Sequence, residues 1–422
     1  MRRNDSWLGA ASEPSRSRGS HYRGSERSVA GLSRVIVGVV IVVVVVSVIQ
    51  LIRPVPLPKA RQTISSALIP GTPPSLPWPS QGGGEVGIQN VGIIGGFNPN
   101  QQIPLASVAK IVTALVIVKD HPLSSGNDGP TLTLTPADAS EYQTMLQQQD
   151  SVMAVVSGEK LNEYQLLEAL LIPSADNIAV TLATWDAGSV PAFVAKMNAM
   201  AKSLGMVHTV FKDPSGLDTG TVGSAGDQVL AAQALLKNQV LSQIVAKPQA
   251  TLPVVGVVYN VNYNVGHDGF VGIKTGSMGN GGNLVFAATG TGSKDLIVGA
   301  ILGQSGVQPL ISALSESTKL VNAARKVPSQ FSVLRQGQQV GVIVAPGAQP
   351  VPVYATKSVS FVGWPGLHVN YSAKFTKLSN NIAKGSKIGV LTVTVGEQSQ
   401  AVSLVAGTAV QRPSLIWRLK RL

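Results

Sequence analysis

The sequence predicts an α+β body, an antiparallel sheet with a helical cluster, preceded by one transmembrane helix and followed by a small all-β domain. Three observations carry that reading. Val35 to Ile52 form eighteen consecutive residues without a charge. Between residues 85 and 327, helical patterns lie between early and late strand-like runs. Beyond Pro328 the chain breaks into short alternating runs separated by Gly and Pro. A chain of 422 residues suits two or three domains of about 100–200 residues each.

Residues 1–34 are rich in Arg, Ser and Gly and lack apolar periodicity, so a disordered cytoplasmic tail is expected. Residues 35–52, VIVGVVIVVVVVSVIQLI, follow. At about 1.5 Å rise per residue they reach about 27 Å, near the thickness of a bilayer core. A cleaved signal peptide has an apolar core of about 7–15 residues with a small-residue site close behind. The nearest such site, Ser65-Ser66-Ala67, lies too far downstream, so an uncleaved anchor is expected. Five Arg in residues 15–34 outweigh Arg53, Lys59 and Arg61 on the other flank. That bias puts the N-terminus in the cytoplasm and the main body outside.

Residues 53–84 hold eight Pro and end in Gly82-Gly83-Gly84, the composition of a spacer. The body is expected over 85–327. EVGIQNVGIIGG reads as one or two strands meeting at Gly95-Gly96. Apolar residues from Ser107 to Val118 fill most of a helix circumference, which predicts a helix buried on nearly all sides. Further helices are expected over 158–171, after the Pro173-Ser174 break, over 189–205, and over 227–246. Strands are expected over 269–274, 283–288 and 296–302, and a helix over 311–326. Residues 328–410 read as the small β domain, with turn signals at short intervals. Residues 411–422 are basic and apolar, fit either for a membrane surface or for a frayed end.

Composition excludes several classes. There is no Cys, hence no thiolate nucleophile, Cys-ligated zinc or disulfide. Net charge is +12, but seven Arg against three acids in residues 1–34 and four bases without acids in 412–422 supply much of it. The middle lacks the basic face and aromatic platforms that nucleic acid requires. The five His (21, 121, 208, 267 and 368) are scattered, with no H-E-x-x-H, so no metal and no cofactor is expected. No G-x-S-x-G elbow supports a Ser-His-Asp arrangement.

The chemistry concentrates in PLASVAKIVTALVIVKD. Ser107 and Lys110 stand at i and i+3, where helical side chains share a face with Cβ atoms about 5–6 Å apart. A serine hydroxyl needs a base to become a nucleophile. A desolvated lysine can be that base, because burial lowers its pKa. A second S-x-x-K, Ser157 to Lys160, has an acid beside its lysine and reads as a solvated turn. Ser174, Asp176 and Asn177 place a hydroxyl and two polar side chains at a helix break. Lys274-Thr275-Gly276-Ser277 follows a strand; a lysine and a hydroxyl there can hold a substrate carboxylate. Gly276 allows close approach to the backbone, and the next N–H can serve an oxyanion. Asp213 to Asp218, DPSGLD, reads as a loop with Gly216 at positive φ. The spacing is 67 residues from Ser107 to Ser174 and 100 from Ser174 to Lys274.

SVAK, SADN and KTG in this order resemble the penicillin-binding serine D-alanyl-D-alanine carboxypeptidases, which share their fold with serine β-lactamases. The resemblance spans residues 85–325 and includes PLASVAKIVTAL, LLEALLIPSADNIAVTLA, DPSGLD and GFVGIKTG. It implies that Ser107 attacks the penultimate D-alanine carbonyl of a peptidoglycan stem peptide, and that Lys110 takes its proton. It implies that Ser174 relays the proton to the leaving amine, and that Lys274 and Thr275 hold the terminal carboxylate. The backbone N–H groups of Ser107 and Ser277 would form the oxyanion hole, and β-lactams would be covalent inhibitors. An endopeptidase, a β-lactamase-like enzyme or a silent wall-binding homologue are the alternatives on this fold. The family's second motif is S-x-N, whereas its third position here is Asp176 followed by Asn177. Either Asn177 replaces the expected Asn, or Asp176 pairs with Lys110 or Lys274, or activity is reduced. An ionised Asp only accepts hydrogen bonds, where Asn also donates.

Overall fold

Two antiparallel sheets organise the chain in a computed structural model that describes residues 26–290 and 295–421. The first has five strands in the order Phe270–Met278, Gly281–Thr289, Leu296–Gln304, Gly83–Ile88, Gly92–Phe97. Its central strands are apolar almost continuously because both faces are covered. Along Gly281–Thr289 the alternation still sorts the side chains. Leu284, Phe286 and Ala288 pack with Leu320, Val321 and Ala324 of the helix Pro309–Ala324. Val285 and Ala287 point the other way, into the helical cluster. The fold is therefore the expected α+β arrangement of an antiparallel sheet with a helical cluster.

At the centre of the cluster runs the helix Lys110–Asp120, buried from Lys110 through Val118. The helices Glu163–Leu171, Asp176–Ala187, Val190–Leu204 and Ala225–Lys237 pack around it. Several boundaries differ from the sequence reading, each for a local reason. The early hairpin turns at Gln89–Val91, where Asn90 takes φ 64, and not at Gly95-Gly96. The helix expected from 158 starts at Glu163, because Asn162 caps it: the Asn162 side-chain Oδ1 accepts from Gln165 N, and Gln165 Oε1 accepts from Asn162 N. Residues Lys160–Asn162 are instead a strand paired with Thr131–Thr133. The stretch 227–246 divides at Asn238, whose side chain caps the second helix Gln239–Val245. A helix at Pro136–Gln147 and a hairpin at Gln249–Tyr259 were not anticipated.

The second sheet has seven strands in the order Lys59–Gln62, Gln339–Val344, Val351–Ala355, Gln398–Ala406, Lys387–Val395, His368–Phe375, Ala67–Leu68. Its two outermost strands come from the stretch expected to be a spacer. Short, Pro-flanked segments suit sheet edges, where a missing N–H breaks no ladder. Val340, Ile343, Leu391, Val393 and Leu404 form this module's own core. Trp364 leaves that core and packs with Val86 and Leu320 of the first body. The turn at Gly396-Glu397 also meets the first body, with Glu397 N donating to Asn90 O at 3.0 Å.

The N-terminal helix runs from Glu26 to Ile52, and Gly31–Ile52 is long and apolar enough to cross a membrane. Of the expected disordered tail, residues 1–25 lie outside the described residues, while Glu26–Arg34 are helical. At the other end Leu415–Leu419 form a short helix capped by Ser414. It rests against the exit of the N-terminal helix, with Arg418 donating to Leu51 O and Arg421 Nη1 to Pro54 O at 3.1 Å.

Candidate active site

Ala106, at φ 49, bends the chain into a 3-10 turn, Ala106–Ala109, that leads into the buried helix. In a 3-10 turn side chains three residues apart eclipse. That places Lys110 Nζ 2.7 Å from Ser107 Oγ. Lys110 is fully buried, and its Nζ also meets Asp176 Oδ1 at 2.5 Å and Ser215 O at 3.0 Å. Three acceptors match the three N–H bonds of an ammonium. Burial pushes the Lys110 pKa down from its ordinary value, and the Asp176 carboxylate, with Asp213 and Asp150 further off, partly opposes this. The net direction is downward, toward the neutral amine that a base must be.

Ser174 sits at φ 69 just before the helix Asp176–Ala187. It is buried, and its Oγ has no hydrogen-bond partner. Asp176 divides its oxygens, Oδ1 to Lys110 and Oδ2 to the Ser151 N–H at 3.1 Å. Asn177 is committed elsewhere. Its Oδ1 accepts from Met153 N and its Nδ2 donates to Met153 O, both at 3.0 Å, so the amide holds the 151–153 segment. Of the arrangements open to this motif, the structure adopts the one in which Asp176 pairs with Lys110.

Lys274, Thr275 and Gly276 are buried on the strand Phe270–Met278, with Ser277 exposed near its end. Lys274 Nζ donates to Thr275 O at 3.1 Å. Burial, then the neighbouring Lys110 charge, hold Lys274 well below its ordinary pKa, against the pull of Asp176. Gly276 is required by contact with the nucleophile turn. A Cβ there would lie 2.8 Å from Leu105 O and 3.1 Å from Ser107 N. The structure thus brings Ser107, Lys110, Asp176 and the strand of Lys274 into one place.

Two contacts carry no sequence signal of their own, the Asn283 amide and the Ser215 carbonyl of the expected DPSGLD loop. Asn283, opposite Gly276 in the hairpin, donates Nδ2 to Pro104 O and Leu105 O at 2.9 Å and accepts from Gly303 N at 2.7 Å. It pins the segment before Ser107 to the sheet. The DPSGLD loop supplies the Ser215 carbonyl. Asp213 Oδ2 accepts from Ser215 Oγ at 2.6 Å, Gly216 N at 2.7 Å and Leu217 N at 2.9 Å, which fixes the loop. Gly216, at φ 91, lets it close on Ala106, since a Cβ would fall 1.8 Å from Ala106 O. A cavity of about 530 Å³ bounded by Leu132, Asp138, Thr181 and Trp185 touches the helix Asp176–Ala187 but none of the motif residues. Among the described residues no group of three or more His, Cys, Asp or Glu is placed to hold a metal ion.

Comparison with known proteins adds findings of three kinds, from family, relatives and solved structures. A family model described as D-alanyl-D-alanine carboxypeptidase matches residues 89–305, just over half of the chain. The D-alanyl-D-alanine carboxypeptidase DacF of Bacillus subtilis is 26% identical over 340 residues, 77% of this chain and 84% of that protein. DacB2 of Mycobacterium tuberculosis, of the same activity by name, is 31% identical over 219 residues, 50% of this chain and 70% of that protein. Relatives named D-alanyl-D-alanine endopeptidase, from Pseudomonas aeruginosa and Escherichia coli, are each 28% identical over shorter stretches. Penicillin binding protein 5 of Haemophilus influenzae shares the fold, with TM-score 0.57 and 20% identity over 81% of this chain and all of that one.

Proposed function

The chain belongs to the D-alanyl-D-alanine carboxypeptidase family, and from that premise we propose that Ser107 carries the reaction on the stem peptides of peptidoglycan. The observation that supports this most is the 2.7 Å contact between Lys110 Nζ and Ser107 Oγ inside a buried, electrostatically balanced cluster. Ser107 Oγ attacks the carbonyl carbon of the penultimate D-alanine, and its proton passes to Lys110 as a neutral amine. The tetrahedral oxyanion is held by the backbone N–H groups of Ser107 and Ser277. Collapse breaks the C–N bond, and Ser174, whose buried Oγ has no other partner, relays a proton to the leaving amine. Lys274 and Thr275 bind the terminal carboxylate. Water then hydrolyses the acyl-serine ester. Asp176 and Asn177 serve this pocket through Lys110 and the 151–153 segment.

In this reading residues 85–327 form the catalytic domain and 328–410 the small β domain, fed by the 53–84 linker and closed by the 411–422 tail. The helix over 35–52 is an uncleaved anchor with the 1–34 tail in the cytoplasm, and the catalytic domain faces the wall. The Arg excess before the helix supports that orientation. Endopeptidase action on cross-linked peptides is the second reading, favoured by the relatives that carry that name. Labelling with a fluorescent penicillin tests the nucleophile. Ser107→Ala is expected to abolish labelling, and equal labelling of parent and variant would refute the assignment. Release of free D-alanine from a pentapeptide separates carboxypeptidase from endopeptidase action.

A further inference from the structure

Charge is sharply segregated along this chain. Residues 85–327 carry 13 Lys and Arg against 17 acids, whereas residues 53–84 and 328–422 together carry 13 against one. That single acid, Glu397, sits in the turn that meets the catalytic body and pairs with Lys237 at 3.1 Å. The rest of the β module therefore presents bases without counter-charges of its own.

The register shows where those bases stand. Phe375 lies opposite Gly389 in the hairpin of His368–Phe375 and Lys387–Val395. Lys374, Lys377, Lys384 and Lys387 thus gather at the loop end of that hairpin, around the connecting residues 376–386, and all four are exposed. The first edge strand runs alongside. Gln62 Oε1 accepts from Ala373 N, which sets Arg61 and Lys59 progressively nearer that same end. Lys59 pairs with Val344, and the next turn holds Gly347 against the Trp417 ring. Ile382 pairs with Val410, just before the C-terminal tail. The exit of the N-terminal helix, the tail helix and the lysine cluster consequently share one end of the sheet. On the tail helix Leu415 and Ile416 are 65% and 66% exposed, beside Arg418, Lys420 and Arg421.

We propose that this end of the β module is a headgroup-binding surface, docking the β module on the anionic leaflet from which the N-terminal helix emerges. The proposal rests on the membrane-anchor reading above, and adds a second, electrostatic contact to it. Apolar residues of the tail helix enter the interface while the lysines meet lipid phosphates. Each base near an anionic surface contributes about a fivefold factor in association, and the effect vanishes beyond a screening length.

The chain has no Cys, so a single introduced thiol labels one place. Full-length Ala383→Cys, carrying a donor dye, is reconstituted into vesicles with acceptor-labelled headgroups. Ser140→Cys on the catalytic body serves as the reference. Flotation of the chain with vesicles of either composition reports the anchor alone, and failure there would refute the anchor reading itself. Energy transfer from position 383 should be high with phosphatidylglycerol and low with phosphatidylcholine alone. It should fall in high salt, and fall at least tenfold in docked-to-undocked ratio when Lys374, Lys377, Lys384 and Lys387 are all changed to Gln. Transfer that ignores lipid charge and salt in the unmodified lysine background would overturn the proposal, and needs no folded variant to read. Absent transfer together with saturable binding of a polyol-phosphate polymer would overturn it in favour of a wall-polymer site.

Discussion

Asp176→Asn is the most informative single change, because it removes one charge from a pair held at 2.5 Å and almost wholly buried. Three effects follow from the geometry. First, if Lys110 keeps its proton, it becomes a buried cation without a counter-ion, a loss of about 3–5 kcal/mol. Second, the amide cannot satisfy both neighbours as the carboxylate does. With Oδ1 still accepting from Lys110, its NH2 meets the Ser151 N–H, and an unpaired donor costs about 1–3 kcal/mol. Third, Lys110 can escape the first cost by losing its proton. Burial already lowers its pKa and Asp176 is the main opposing influence, so removing Asp176 lowers it further. On the acid limb of the profile the neutral fraction falls tenfold per pH unit. Acylation by a fluorescent penicillin should therefore begin at lower pH in the variant. The gain on that limb is bounded by the interaction removed, about two to four orders of magnitude. Stability carries the matching sign. A lysine whose folded pKa lies below its unfolded value contributes most above the unfolded value and loses stability as pH falls through the folded one. The parent–variant gap in Tm should therefore be widest at low pH on this limb and narrow as pH rises. An unmoved acid limb would refute Lys110 as the titrating base. Loss of acylation at every pH would mean that the pocket is built around the carboxylate.

Other changes separate the remaining parts of the argument. Gly276→Ala should cut acylation strongly and also lower Tm, because the added Cβ presses on the backbone atoms Leu105 O and Ser107 N at the nucleophile turn; normal acylation would show that the strand does not abut Ser107. Glu163 is buried with both oxygens unpartnered, and burial raises its pKa from 4.5 to about 7. Its neutral form supports the fold below pH 4.5, and that support is lost as pH rises through about 7. Glu163→Gln should flatten Tm against pH over that window, and an unchanged slope would sink the assignment. Lys237→Ala breaks an exposed pair with Glu397 and should change stability by about 0–1 kcal/mol; a larger drop in thermal unfolding would show that this contact carries the junction between body and β module.

How much could be read in advance depended on whether a feature had a local signature. The α+β class was legible because the strands are continuous apolar runs and the core helix is apolar on every side. Ser107, Lys110 and Lys274 were legible because residue type, order and element boundaries coincide. The Lys110–Asp176 pair was legible only as one of several alternatives, since it joins positions 66 residues apart and depends on which way one side chain turns. Ser215 contributes a carbonyl, which every residue possesses, and Asn283 contributes an amide that looks ordinary in a strand. The helix Pro136–Gln147 buries only Met145, so it has no apolar stripe to betray it; its signal is the Thr135–Asp138 capping box behind Pro136. The edge strands at Lys59–Gln62 and Ala67–Leu68 are too short for any periodicity.

Those two edge strands change how the molecule is tied together. The chain passes from the β module to the catalytic body near Pro70 and returns near Val327, so the body is a loop held at both ends by one sheet. Cutting the return crossing leaves the body joined to the N-terminal helix through the linker. Cutting the outward crossing leaves it joined to the β module, which still grips Lys59–Gln62 through its ladder with Gln339–Val344. Tension drawn along the linker from the N-terminal helix would load that strand lengthwise, so its backbone bonds resist together and do not peel one after another. A single proteolytic nick at either crossing would pass unnoticed in the enzyme's position, and release at the crossings would require either two cuts or enough force to slide four residues out of a sheet.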